Sequence, residues 1–263
     1  MARLDIMLVK LGISTSRERA KELIKNGSIY VNEKIVTKPS VEVSESDEIR
    51  SDAEAFRYVG RGGLKLEKAI DAFSLRLDGL KCIDIGASTG GFTDCMLQNG
   101  AYKVYAVDVG HDQLAEKLRS DSRVINAENK DVRGLDAEFF GGEADFISTD
   151  VSFISVKFIL PKIADFLRCG CDAAVLVKPQ FEAGKQNIGK NGIVKNRKVH
   201  EEVLADITEF AYNLGLSPQA VIGSPIRGGS GNIEYLMHLK KVSSDKIIFD
   251  FKQIVNCAFN SDY

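Results

Sequence analysis

Apolar positions along this chain recur with two different periods, and each change of period marks an element. From Lys81 onward, short apolar runs of strand length alternate with amphipathic stretches. Lys81–Ile85, Tyr102–Val109, Val124–Ala127, Ala144–Asp150, Cys171–Val177, Ala220–Ser224 and Ile233–Leu239 read as strands. A stretch starting near Gly91, then Gln113–Arg119, Val156–Leu167 and Val199–Asn213 read as helices. Strands alternating with helices predict a doubly wound α/β sheet. Its most buried strand is Cys171–Val177, where Ala173 to Val177 are all apolar, as expected of a strand covered on both faces. Ahead of this body, Leu64–Phe73 is apolar at Leu64, Ala69, Ile70 and Phe73 and predicts a helix. Behind it, Ile247–Phe259 predicts a helix or an edge strand.

The first fifty residues follow another plan. Leu4, Leu8 and Leu11 recur at helical spacing up to Gly12, and Ser14-Thr15-Ser16 offers an N-cap for a second helix over Arg17–Asn26. Ala20, Leu23 and Ile24 form its inward face, and Gly27 closes it. Ile29–Lys34 predicts a strand and a turn, and Val41–Ile49 contains another short strand. The expected organisation is a small α+β domain over residues 1–56, a glycine-bearing flexible linker over 57–63, and the α/β body over 64–263.

Composition narrows the classes. With 263 residues and 44% hydrophobic content, the chain can bury a large core. A net charge of −2 excludes a uniformly basic nucleic-acid binder. Residues 1–40 nevertheless carry eight basic and four acidic side chains, a basic module on an acidic body. No apolar run approaches the ~20 residues of a membrane span, and Met1-Ala2-Arg3-Leu4-Asp5 lacks the apolar core of a secretory signal. Five cysteines without a C-x-x-C pair suit reduced thiols, so a cytoplasmic protein is expected.

The chemistry gathers at strand ends. Asp84-Ile85-Gly86-Ala87-Ser88-Thr89-Gly90-Gly91-Phe92 delivers a strand through a glycine-bearing turn onto a helix N-terminus, where unpaired N–H groups can meet a ligand. Ser88 stands where the dinucleotide fingerprint needs its second glycine, which disfavours an NAD-dependent oxidoreductase. The form of this turn resembles the S-adenosylmethionine motif of class I methyltransferases, with Asp84, Gly86, Ala87, Ser88, Gly90, Gly91 and Phe92 as its cofactor-side residues. Asp108 ends the next strand, where a carboxylate can accept both hydroxyls of a cofactor ribose. Asp131 can accept an adenine amino group or be a plain turn carboxylate. Lys178 follows a fully apolar strand, an unusual place for an ammonium that serves only structure. Residues 183–196 hold Lys185, Lys190 and Lys195 without a hydrophobic period and read as a mobile basic loop, a lid or RNA contact.

Two resemblances organise these residues. Residues 2–50 are similar to the RNA-binding domain named for small-subunit ribosomal protein S-four, which implies RNA contacts at Arg3, Arg17, Arg19, Lys21 and Lys25. The words Gly60–Leu66, Asp84–Phe92, Asp108-Val109-Gly110, Asp150–Ser155, Val177–Glu182 and Gly231–Glu234 resemble the TlyA family, also called haemolysin A, whose body is FtsJ-like. That resemblance implies a Rossmann-like class I methyltransferase sheet and S-adenosylmethionine as cofactor. It also implies 2′-O-methylation of cytidine in ribosomal RNA within ribosomal subunits. It makes Lys65, Asp150, Lys178 and Glu234 the catalytic tetrad, places Asp150 beside the transferred methyl group, and adds Arg61 to the RNA contacts. Lys178 is expected to be the base, because a lysine whose charged form is disfavoured by burial and a second lysine can withdraw a hydroxyl proton. Two alternatives stay open: a membrane-active haemolysin, and a catalytically inactive RNA-binding assembly factor.

Overall fold

The computed structural model of the chain describes residues 1–263 apart from Thr15, Asn26, residues 52–56, Gly229, Ser230, Asp262 and Tyr263; the side chains of Arg19, Glu22 and Lys25 also lie outside the description. It divides into two compact units, Met1–Arg61 and Gly62–Tyr263.

In the first unit, strand β1 (Ala2–Arg3) leads directly into helix α1 (Leu4–Lys10), followed by α2 (Arg17–Lys25). Leu4, Met7 and Leu8 of α1 pack against Ala20, Leu23 and Ile24 of α2, with Ile29 and Val43 completing the small core. Leu11, grouped with this core by its spacing, is instead half-exposed past the end of α1. Strands β2 (Ile29–Val31) and β3 (Lys34–Ile35) form a hairpin through Asn32 and Glu33, which both take positive φ, as a tight two-residue hairpin turn requires. The predicted strand within Val41–Ile49 is two pieces, β4 (Glu42–Val43) paired with β1 and β5 (Ile49–Ser51) paired with β2.

The second unit begins with α3 (Gly62–Phe73), so Gly62 and Gly63, expected to end the linker, form its first turn. The chain then runs through β6 (Lys81–Ile85), α4 (Gly91–Gln98), β7 (Lys103–Val107), α5 (Glu116–Arg119), β8 (Val124–Ala127), β9 (Ala144–Thr149), α6 (Leu160–Phe166), β10 (Leu167–Val177), α7 (Pro179–Glu182), α8 (Arg197–Asn213), β11 (Leu216–Gly223), β12 (Tyr235–Lys241) and α9 (Phe251–Asn260). Seven strands form one sheet in the order β11-β12-β10-β9-β6-β7-β8, with β12 antiparallel to both neighbours. The apolar strand reading as buried holds: Ala173 through Val177 are each no more than 1% exposed. The helix expected over Gln113–Arg119 is shorter, because Glu128 takes the N–H groups of Gln113 and Leu114 and holds them in a loop. Val156–Leu167 splits into a 3₁₀ turn and α6, with Pro161 in the first turn of α6, where its missing N–H costs nothing. The C-terminal piece is a helix, starting at Phe251 behind the cap that Asp250 gives to Gln253 N–H.

This topology fixes where a ligand goes. After β6 the chain builds outward through β7 and β8, then crosses back to place β9 on the other side of β6. The crevice at the carboxyl ends of β6 and β9 is the switch point of the sheet. Because β12 runs antiparallel with Val177 opposite Tyr235, the residue before β12 meets the residue after β10 at that same edge.

Candidate functional site

The turn after β6 is built from residues that must be small or left-handed. Gly86 has φ +83°, and a Cβ there would meet the Asp150 carbonyl oxygen at 2.8 Å. Gly90 caps α4 at φ +94°, and a Cβ there would meet Leu118 Cδ1 at 2.2 Å. A side chain at either position would push the turn off its neighbours, so the glycines let it pack against the Asp150 backbone on one side and Leu114 and Leu118 on the other.

A cleft of about 480 Å³ opens beside this turn, lined among others by Gly86, Ser88, Asp108, Val109, Asp131 and Asp150. Its size and mixed lining suit a nucleoside-sized ligand. Asp108 accepts the N–H of Ser88 at 2.8 Å and of Gly110 at 2.7 Å, which fixes its carboxylate at the strand end. Asp131 lines the far wall, held in a bidentate pair by Arg133, whose guanidinium keeps the carboxyl below its ordinary range. A second recess of about 180 Å³ adjoins the first at Gly86, Ser88, Asp150 and Ser152, and adds Ala87, Gly91, Phe92 and Lys178 to its walls.

Asp84 departs from the sequence reading. Its side chain has no exposed surface and accepts Thr93 Oγ1 at 2.7 Å and Ser148 Oγ at 3.1 Å. It ties β6, β9 and α4 together beneath the turn rather than facing the cleft, and burial pushes its carboxyl up to about 7.

The four tetrad residues come together. Lys65 Nζ lies 2.6 Å from Glu234 Oε2 and 3.7 Å from Asp150 Oδ2. Lys178 Nζ lies 2.5 Å from Asp150 Oδ1 and donates to Ser152 Oγ at 2.8 Å. Asp150 thus bridges two ammoniums. Burial alone would raise its carboxyl, but Lys65 and Lys178 hold it below the usual range. Lys65 and Lys178 are 8% and 7% exposed and Glu234 3%, so the cluster is nearly dry and internally neutral. Glu234 sits just ahead of β12 rather than inside it, as the pairing of Val177 with Tyr235 requires.

Three groups around this cluster belong to the words that carry the family resemblance but have no role assigned from the sequence. Gln180 donates to Glu234 Oε1 at 3.1 Å and so fixes the second oxygen of that carboxylate. Glu182 accepts Ser155 Oγ at 2.6 Å and the N–H of Val156 at 2.8 Å, which ties α7 to the loop after Asp150; burial raises its carboxyl. Phe153, in that loop, is 91% exposed at φ +64°, strained for an aromatic residue, with its ring 5.3 Å from that of Phe181. An exposed aromatic at a strand end carries no periodicity, which is why the pattern was silent.

The basic segment 183–196 is more ordered than its composition suggests. It forms 3₁₀ turns at Lys185–Asn187 and Lys190–Gly192, with Lys185 and Lys190 exposed. Val194 is buried, and two side chains hold its backbone: Asn232 accepts its N–H at 3.1 Å, and His200 Nε2 lies 3.0 Å from its carbonyl. The second ring nitrogen of His200 lies 2.9 Å from Tyr235 Oη, next to Glu234, and burial lowers its pKa.

Of the basic candidates in the first unit, Arg3 and Arg17 are half-exposed and both bind Asp5. Lys21 is partly exposed on α2, and Arg61 ends the unit with its Nη1 near Gly27. The side chains of Arg19 and Lys25 lie outside the described residues.

Comparison with known proteins agrees with this architecture. The FtsJ-like methyltransferase family matches residues 58–241, and the S4 domain family matches residues 2–49. The Bacillus subtilis protein YqxC is 48% identical over 238 residues, covering 90% of this chain and 85% of that protein. The Mycobacterium tuberculosis 16S/23S rRNA (cytidine-2′-O)-methyltransferase TlyA is 39% identical over 240 residues, covering 91% and 90%. A solved Streptococcus thermophilus structure described as a hemolysin is 46% identical with TM-score 0.79, covering 98% of this chain and 95% of that one. Among the described residues no helix is long and apolar enough to cross a membrane. With a doubly wound sheet, a glycine turn at its switch point and these matches over nearly its whole length, the chain belongs to the TlyA family of FtsJ-like methyltransferases and carries an N-terminal S4 domain.

Proposed function

We propose that the protein transfers a methyl group from S-adenosylmethionine to the ribose 2′-hydroxyl of a cytidine in ribosomal RNA, acting on RNA within ribosomal subunits. The observation that carries this reading is the Lys65–Asp150–Lys178–Glu234 cluster, which opens through Asp150 and Lys178 onto the recess that adjoins the nucleoside-sized cleft. The Mycobacterium tuberculosis relative supplies the cytidine and the ribosomal RNA in its name.

The residues present fit S-adenosylmethionine. Asp108 directly follows β7 where a ribose diol would sit, and Gly86 lets the turn pack onto the Asp150 backbone at the edge of the cleft. Ser88 and the first turn of α4, with Gly91 and Phe92, border the recess where the methionine half would lie, and Asp131 lies on the wall toward the base. Asp84 supports the turn from below. When bound, the cofactor supplies an electrophilic methyl group.

A ribose hydroxyl becomes a competent nucleophile only when its proton has somewhere to go. Lys178 Nζ is the acceptor placed for that proton, with Asp150 2.5 Å away to hold the ammonium that results. Ser152 fixes the same nitrogen from another side, so Nζ is aimed before substrate arrives. Lys65 neutralises Glu234 and reaches the other oxygen of Asp150, which keeps the two carboxylates from repelling each other. Phe153 at the mouth of the cleft offers a ring face on which the base of an extruded nucleotide can stack. Arg3, Arg17, Arg19, Lys21, Lys25 and Arg61 supply phosphate contacts in the first unit, and Lys185 and Lys190 supply them on the body. The test is methyl transfer to transcribed 16S and 23S rRNA and to isolated ribosomal subunits, followed by nucleoside digestion. Formation of 2′-O-methylcytidine supports the reading; a methylated base in its place ends it.

A further inference from the structure

Asp5, in the first turn of α1, has no exposed surface, yet its carboxylate is the meeting point of two surface arginines. Oδ1 accepts Arg3 Nε at 3.0 Å, and Oδ2 accepts Arg3 Nη2 at 3.2 Å and Arg17 Nη2 at 3.1 Å. The arginine side chains remain 45% and 49% exposed. Their guanidiniums hold the Asp5 carboxyl below its ordinary range, and Asp5 is the partner of both among the described residues.

Lys10 and Arg50 in the same unit are arranged the other way round. Lys10 pairs with Glu45 and Arg50 with Glu33, and in each pair the acid is the more exposed partner. An exposed acid presents its own charge to an incoming phosphate and competes for the cation. A carboxylate beneath the surface is out of contact with the phosphate, and its single charge is outweighed by the two guanidiniums that it holds. It holds one edge of each guanidinium and leaves the remaining N–H donors facing outward, since a guanidinium carries five donors and Arg3 commits two of them and Arg17 one. Two guanidiniums on one carboxylate also leave a net positive charge at the surface. Fixing them beforehand removes the ordering cost that two free arginines would bear on binding.

We propose that Asp5 is a positioning residue for RNA capture, setting Arg3 and Arg17 as a two-pronged fork for neighbouring backbone phosphates of folded RNA. This rests on the reading that the first unit carries ribosomal RNA. The sign of one substitution decides it. Asp5→Asn deletes a negative charge from a phosphate-binding face, so charge alone makes RNA binding tighter. Loss of the fork makes it weaker.

The experiment uses the full chain and transcribed 23S rRNA in filter binding from about 50 to about 200 mM salt, with melting curves on each variant. Asp5→Asn is expected to bind about fivefold or more weakly, with a salt slope shallower by about one, as expected for a lost phosphate contact, and with S-adenosylmethionine affinity unchanged. Arg3→Lys with Arg17→Lys keeps the charge and loses the fork, and is expected to weaken binding similarly. Tighter or unchanged binding by Asp5→Asn overturns the role of Asp5. If Asp5→Asn melts the first unit, the lysine variant decides, and wild-type binding by it overturns the proposal. Unchanged binding by Arg3→Ala with Arg17→Ala overturns instead the underlying reading of these arginines as RNA contacts.

Discussion

In the body, two lysines face two carboxylates, with Lys65, Lys178 and Glu234 each less than a tenth exposed; in the first unit, one buried carboxylate faces two half-exposed guanidiniums. The same residue chemistry serves opposite ends. A dry, balanced cluster has no charge to offer a phosphate, but it can hold a proton or release one against partners already in place. A surplus of cation at the surface can attract a polyanion across a Debye length but is too wet to shift a proton. On the proposed function, the first arrangement serves chemistry and the second serves capture.

The largest blow to the balanced cluster is Lys178→Ala, which removes the proposed proton acceptor. Turnover is expected to fall at least about 100-fold, with S-adenosylmethionine affinity within twofold of wild type by calorimetry. Retained turnover would leave the cluster a structural ion-pair network. Glu234→Gln keeps the shape and the volume but strips the charge opposite Lys65; turnover is expected to fall about tenfold at saturating RNA, with RNA affinity unaffected. A change confined to RNA affinity would move Glu234 from chemistry to capture. Gly90→Ala strikes the turn itself, since φ +94° and the Leu118 contact both oppose a Cβ. It is expected to cost about 1–3 kcal/mol in denaturant unfolding and to weaken cofactor binding more than RNA binding.

The remaining expected effect leaves turnover aside and concerns the pH dependence of stability. Burial raises the Asp84 carboxyl to about 7, above the value of an unfolded aspartate, so the folded state holds a proton that the unfolded chain has already released. Its contribution to stability is therefore fully present below about pH 4 and is lost as pH rises toward about 7, on the order of a few kcal/mol across that window. Asp84→Asn removes the ionisation, so its unfolding free energy, compared with wild type from pH 5 to pH 8, should lack that decline. Parallel curves for the two proteins would show that Asp84 does not titrate in this window.

The sheet was readable because most of its strands contain a short apolar run, and Ala173–Val177 is buried as its pattern demands. Boundaries moved where a side chain intervened: Glu128 unwinds the start of α5, and the Val177–Tyr235 pairing leaves Glu234 outside β12. Lys178 stood out because an ammonium follows a buried strand, whereas Lys65 sits on a helix whose composition gives no reason to separate it from Lys68. Only the resemblance singled it out. Asp84 shows the converse error. An acid two residues before the glycine turn reads as a ligand contact, and nothing in the pattern says that Thr93 and Ser148 will enclose it. Phe153, Gln180 and Glu182 were silent for a related reason: their roles depend on partners far away in sequence. The basic segment 183–196 looked unstructured because its anchors, Asn232 and His200, lie on other elements.

The most direct test of the central claim is transfer of labelled methyl groups from S-adenosylmethionine to ribosomal subunits by wild-type protein and by Lys178→Ala, followed by digestion to nucleosides. The expected result is label in 2′-O-methylcytidine with the wild type and at least about 100-fold less with the variant, at equal cofactor binding. Label on a base, or equal label from both proteins, would contradict it.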